Sequence, residues 1–310
     1  MRLLTFSLPQ DAVPRVGVLR GPDVVLDVGE AARRANRTLP FYAGDLVSLI
    51  AAGPEALELV RGLKEAREAV HPLGEVRVLA PIPRPRKNVF CVGWNYLEHF
   101  EEGKTIRGGQ ELPEHPVFFS KAVTAVNGPY EPIALDAAVT TKLDWEVELG
   151  VVIGKAGKSI PEARALEHVF GYTVVNDVSA RDLQRGHGGQ WHKGKSLDGT
   201  CPMGPVIVTA EEIDATNLRV TTRVNGVAKQ DSNTKHMYFK IPRLLAELSL
   251  GLTLEPGDVL STGTPQGVGF ARTPPEFLKP GDLLETEIEG IGVLRNRIQG
   301  EQAAVRGLLR

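Results

Sequence analysis

The sequence predicts an α+β protein, predominantly β, with a small α+β N-terminal domain at residues 1–80 and a larger, mostly β domain at residues 81–310. Three observations carry this. The 33 glycines and 22 prolines are dispersed without any low-complexity tract, which cuts the chain into many short strands rather than a helix bundle. Strand-like runs recur along the whole length, whereas helical periodicity is confined to a few stretches. The proline-dense segment Ala80-Pro81-Ile82-Pro83-Arg84-Pro85-Arg86 must be extended, and the domain boundary is placed there.

Taken in order, Arg15–Leu19 and Val24–Val28 read as strands around an Arg20-Gly21-Pro22-Asp23 turn. Helical spacing runs from Gly44 to Val70, with Asp45 as a cap and Gly53-Pro54 dividing it into two helices. Asn88–Gly93 reads as a buried strand, Asn95–Glu102 as a short helical turn and Pro116–Lys121 as a further strand. Between the last two, Gly103–Pro116 reads as a surface loop, with a lid as the alternative. Ser159 to Val169 reads as a helix with Pro161 in its first turn, Gly171–Val175 as a strand ending at Asn176-Asp177, and Phe239–Leu250 as a second helix. Turns at Pro256 and Pro280 each introduce a strand.

Size and composition exclude several classes of function. A chain of 310 residues can bury a core in one large or two smaller domains. A formal net charge of -2 gives no reason to expect a nucleic-acid or anionic-membrane partner. Cys91 and Cys201 cannot build a disulfide framework, and a reducing compartment is the simpler reading. The start, MRLLTFSLPQ, has no basic segment followed by a continuous apolar one, and no apolar run is long enough to span a bilayer. The expected location is the cytoplasm.

The chemistry centres on Lys142–Gly154. With a period of two, Leu143, Trp145, Val147, Leu149, Val151 and Ile153 form an apolar row, and Asp144, Glu146 and Glu148 fall on the other face. Three carboxylates in line repel one another unless water, a basic partner or a cation compensates them. A solvated edge strand is the other reading. Glu146 and Glu148 with Asp177, at the end of a second strand, make an oxygen-only set suited to a hard ion: Mg²⁺, or else Mn²⁺ or Ca²⁺. His187 and His192, in a glycine-rich loop, lack helical ligand spacing and read as loop or substrate groups. His99 and Glu102 share a helical face, so the carboxylate can orient the imidazole; such a pair is also common by chance. Lys195 reads either as a solvated lysine or as a partner for negative charge. The glycines of Thr262-Gly263-Thr264-Pro265-Gln266-Gly267-Val268-Gly269 would let backbone amides approach an anion, though a plain hairpin end fits equally.

Together and in this order, Cys91–His99 through Glu102, Trp145–Leu149, Asn176–Asp182, Gly194-Lys195-Ser196 and Thr262–Gly269 resemble the fumarylacetoacetate hydrolase family over about Asn88 to Ile298. The resemblance implies a mixed β-roll catalytic domain, a small N-terminal domain, a homodimer and a requirement for Mg²⁺ or Mn²⁺. It implies Glu146, Glu148 and Asp177 as metal ligands, His99 and Glu102 as the dyad that activates water or shuttles a proton, and Lys195 as the partner of a substrate oxyanion or carboxylate. Tyr96, Gln184 and Thr264 would be substrate contacts. Some acylpyruvate-cleaving relatives have arginine where this chain has Trp94, so that grip on a remote carboxylate is missing here.

The expected reaction is metal-dependent hydrolysis of a C–C bond in a 2-oxo dicarboxylic acid of acylpyruvate or fumarylacetoacetate type. The alternatives are isomerisation or decarboxylation of an intermediate such as 2-hydroxyhepta-2,4-diene-1,7-dioate or 5-carboxymethyl-2-hydroxymuconate, and a non-catalytic, metal-stabilised binding relative.

Overall fold

The computed structural model describes residues 1–63, 69–103 and 111–300. Residues 104–110 of the expected Gly103–Pro116 loop lie outside them. The architecture is α+β and mostly strand, as the sequence predicts. One large sheet has the strand order Val70–Pro72, Val24–Asp27, Asp11–Arg20, Arg2–Leu8, Cys201–Thr209, Val169–Asn176, Val147–Ile153, Val259–Ser261, Val89–Gly93 and Val117–Lys121. A second sheet has the order Val227–Asn233, Arg219–Val224, Leu283–Ile288, Gly292–Gly300 and Ile133–Leu135. Arg2–Leu8 pairs antiparallel with Cys201–Thr209, so the N-terminal segment is joined edge to edge to the later chain.

The central strand, Val147–Ile153, is buried at every position. Its parity explains how. Val147, Leu149, Val151 and Ile153 pack into one core with Val220, Ile288 and Leu294 of the second sheet and Leu244 and Leu248 of the helix Ile241–Ser249. Val152 points the other way, into a core with Leu46, Leu49 and Ile50 of the helix Leu46–Ala51. Burying each such side chain contributes about 1.5–3 kcal/mol, so a one-residue slip of register would cost most of two cores.

The helices begin where local chemistry allows. Asp45 Oδ1 accepts from Val47 N at 2.9 Å, and Pro54 opens the next helix, Pro54–Arg61, after Gly53 with φ +81°. The expected helix from Ser159 to Val169 is instead a 3₁₀ helix, Glu162–His168. Its buried residues, Ala165 and His168, are three apart, which is the repeat of that tighter helix, and Leu166 is exposed.

The expected strand over Leu143–Ile153 is also interrupted. Leu143–Asp144 pairs with Ser179–Ala180, whereas Val147–Ile153 pairs with Val169–Asn176 and Val259–Ser261, and Trp145 and Glu146 belong to neither ladder. The freed amides find side chains instead: Glu146 N donates to Asn176 Oδ1 and Val147 N to Gln230 Oε1, both at 3.0 Å. The solvated-edge reading of the carboxylate row is thereby excluded.

Candidate metal and active site

The break in the central strand positions the first carboxylate. Asp177 N donates to Glu146 O at 2.9 Å, closing the strand pair just where Asp177 leaves it. Glu146, Glu148 and Asp177 are all buried, and each offers a carboxylate oxygen within 4.8 Å of the others. Three carboxylates out of water at that spacing require cations.

Two lysines and an arginine supply them. Lys195 Nζ lies 2.7 Å from Glu146 Oε2 and 2.6 Å from Asp177 Oδ2. Lys121 Nζ donates to Asp177 Oδ1 at 2.8 Å and to Val178 O at 2.9 Å. Arg181 Nη2 is 2.6 Å from Glu146 Oε1, a charge contact without hydrogen-bond alignment, and its Nε donates to Asp144 Oδ2 at 2.8 Å. Lys195 is therefore not a solvated lysine: it is 2 % exposed. Its short helix, His192–Lys195, presses on the helix Arg181–Gly186, since a Cβ at Gly194 would run into the backbone of Gln184.

Glu148 is compensated differently. Its Oε2 accepts from Ser261 Oγ at 2.6 Å and Gly263 N at 2.8 Å, and among the described residues it forms no ion pair. Burial, then the charges of Asp177 and Glu146, push its carboxyl well above the usual range. Burial acts on Glu146 in the same direction, but Lys195 and Arg181 outweigh it and hold that carboxyl far below normal. Burial also disfavours charge on Lys195, and Asp177 and Glu146 more than reverse this.

The turn at Thr262–Gly269 gathers the parts. Gly263 has φ +96°, and a Cβ there would lie 2.7 Å from that of Asn95, so only glycine brings this amide to Glu148. Gly267 N donates to Glu102 Oε2 at 2.8 Å, and Glu102 Oε1 lies 2.7 Å from His99 Nδ1 within the helix Leu97–Glu102. Gly269 N donates to Asp144 Oδ1 at 2.7 Å. The expected anion-approaching amides thus contact carboxylates of the protein itself.

The cluster opens on a cavity of about 590 Å³ whose wall includes His99, Glu146, Arg181, Gln184, Trp191 and Lys195. His99 Nδ1 is occupied by Glu102, which leaves Nε2 for a bound molecule. Of the residues expected to touch substrate, Gln184 borders this cavity. Tyr96 and Thr264 are buried outside its wall; Thr264 Oγ1 accepts from Gln230 Nε2 at 2.8 Å. His192 faces Ser120, with Nδ1 3.0 Å from its carbonyl oxygen.

Lys121, Arg181 and Gln230 are site residues that sequence reasoning gave no role, and Asp144, a member of the expected carboxylate row, proves to hold Arg181. Arg181 stands within the quoted Asn176–Asp182 motif, and Lys121 ends an apolar strand, an unusual place for a lone lysine; Gln230 carries no signal.

A buried carboxylate trio able to hold a divalent cation, reaching through Glu146 the same cavity that His99 of a histidine–glutamate pair borders, is the site of an enzyme acting on small molecules. Residues 88–299 match the family described as fumarylacetoacetate (FAA) hydrolase, C-terminal. The chain belongs to the fumarylacetoacetate hydrolase family. It is 42% identical over 292 residues to oxaloacetate tautomerase YisK of Bacillus subtilis, covering 91% of this chain and 95% of that one. A fumarylacetoacetate hydrolase structure from Exiguobacterium antarcticum is 40% identical, with TM-score 0.81 over 97% of this chain and 100% of that one. A maleylpyruvate hydrolase structure from Sphingobium sp. SYK-6, in complex with manganese(II) and pyruvate, is 28% identical, with TM-score 0.75 over 97% of this chain and 100% of that one.

Proposed function

We propose that the protein interconverts the keto and enol forms of a short 2-oxo dicarboxylic acid of the oxaloacetate type, using a divalent ion, Mg²⁺ or Mn²⁺, at Glu146, Glu148 and Asp177. The observation that carries this reading is that His99, held by Glu102, borders the same cavity as Glu146 and Lys195. The activity for which the Bacillus subtilis relative is named supports the choice of tautomerisation.

The residues present fit the ion. All three are hard oxygen donors, converge within 4.8 Å and are buried, and Glu148 has no cation of its own among the described residues. When bound, the ion would polarise the 2-oxo group and stabilise negative charge on its oxygen. His99 would carry the proton: the C3–H bond breaks as the enol O–H forms, with imidazole Nε2 as the relay and Glu102 holding Nδ1. Glu102 is itself fixed by Gly267 N, so the imidazole is held before substrate arrives. Lys195 would offset charge on the substrate head, and Gln184 would hydrogen-bond to it. No water need be consumed and no bond between carbons need break.

Hydrolysis is the second reading, favoured by the same pair, which is equally placed to deprotonate a water. The Sphingobium neighbour is named a hydrolase and holds pyruvate. We also read residues 1–80 as a small N-terminal domain on a catalytic domain at 81–310, supported by a family match that begins at residue 88, and the active form as a homodimer. A cytoplasmic location accords with Cys91 and Cys201 being free and buried.

Proton NMR of the enzyme with Mg²⁺, given oxaloacetate and an acylpyruvate in turn, separates the readings. Faster keto–enol exchange of oxaloacetate without fragments is the expected result. Pyruvate with a second carboxylic acid means hydrolysis, pyruvate with CO₂ means decarboxylation, and no change in either compound means a binding protein.

A further inference from the structure

The cations around the cavity are not equivalent. Lys195 and Arg181 are engaged by Glu146, Asp177 and Asp144. Arg185 also borders the cavity, one helical turn beyond Arg181, and among the described residues it has no carboxylate partner. Its contact is with Phe270: the guanidinium carbon of Arg185 lies 5.2 Å from the ring centre and that of Arg181 4.4 Å from the same ring. Phe270 is itself part of the wall. An aromatic ring under a guanidinium limits its orientations while leaving the N–H edges free to donate. Partial desolvation against the wall, and then the charge of Arg181, lower the Arg185 pKa from its usual value, the condition of a cation short of negative charge.

We propose that Arg185 is a second anion subsite, taking the distal carboxylate of a dicarboxylic 2-oxo acid whose head lies against the buried carboxylate cluster. This rests on the reading of the cavity as a 2-oxo acid site. Three points of geometry and chemistry carry it. The guanidinium fork matches a carboxylate in two parallel hydrogen bonds, a fit that neither a lysine nor an amide provides. Arg181 and Arg185 share one helix and one aromatic ring, so head and tail sites sit within the reach of a single short molecule. And the paired cations lie deep, whereas Arg185 is exposed, as expected if the invariant head is buried and the variable tail faces the mouth. Arg185 acts on specificity, not on the proton transfer.

The test compares two ligands with the same head, oxaloacetate and pyruvate, by calorimetry on the Mg²⁺-loaded protein, in wild type, Arg185→Gln and Arg185→Lys. Wild type should bind oxaloacetate about tenfold or more tightly than pyruvate, from one charge-assisted bidentate contact. Arg185→Gln should bring that ratio close to one while leaving pyruvate affinity unchanged, and Arg185→Lys should keep part of it. In steady-state kinetics the glutamine variant should raise KM for oxaloacetate and leave kcat within about twofold. An unchanged affinity ratio in Arg185→Gln overturns the subsite, as does an equal loss for both ligands. The binding ratio needs no turnover, so a wild type that discriminates the two acids through Arg185 yet fails to tautomerise oxaloacetate would sink the proposed reaction and leave the subsite standing.

Discussion

The floor of the cavity and its mouth differ in how they treat charge. On the floor, Glu146, Asp177, Lys121, Lys195 and Arg181 are all buried, and each contacts at least one opposite charge within 3 Å. At the mouth, the stretch Arg185–Gln190 is exposed, and among the described residues Arg185 has an aromatic neighbour instead of a counter-ion. A buried charge must be compensated by the protein before any ligand arrives, because desolvation costs several kcal/mol per ion. An exposed one can wait for substrate. On the proposed reading, the floor serves fixed chemistry on a fixed head group and the mouth chooses among tails. The His99–Glu102 pair stands between them: buried at His99, half-buried at Glu102, and tied to the floor through the Gly263–Gly267 turn.

Substitutions should separate the regions by the size and kind of effect. Glu148→Gln should be the most damaging: it removes an oxygen of the proposed metal site, and turnover should fall by about a thousandfold or more, with the Mg²⁺-induced rise in melting temperature lost as well. Retention of either would break the assignment of the floor. His99→Ala should lower turnover by about 10² to 10⁴ while the Mg²⁺-induced stabilisation survives; a variant that lost both would make His99 part of the floor. Lys121→Met addresses folding. Leaving Asp177 without one of its two lysines should cost about 3–5 kcal/mol in chemical denaturation of the metal-free protein, partly recovered on adding Mg²⁺. Gln184→Ala, on the half-buried wall, should change KM by less than about tenfold and leave kcat and stability near wild type.

Much of this was legible in the sequence, and the exceptions share a cause. The two-residue alternation from Val147 to Ile153 specified which side chains meet the second sheet, because parity along a strand is a local property. The break at Trp145-Glu146 was not legible, since it depends on Asn176 and Gln230, contributed from 30 and 83 residues away. Lys121 and Arg181 were missed for a related reason: a buried cation is recognisable only beside its counter-charge, and theirs arrive from other strands. Asp144 stood in the expected carboxylate row but outside the expected ligand set, and it accepts from Gly269 N, Phe270 N and Arg181 Nε and so ties the turn to the helix that carries both arginines. The glycine-rich turn signalled amides seeking an anion, but only the fold shows that the anions are Glu148, Glu102 and Asp144. For Ser159 to Val169 the apolar spacing suited either kind of helix, and only packing at intervals of three chose the tighter one.

The central claim, that a divalent ion on the buried carboxylates is required for proton relay at His99, is tested most directly by stripping the wild-type protein with EDTA, removing the chelator and titrating Mg²⁺ back while following oxaloacetate keto–enol exchange. The account predicts exchange at the uncatalysed rate in the stripped protein and full recovery on saturation of a single site per chain. Undiminished catalysis by the stripped protein would contradict it.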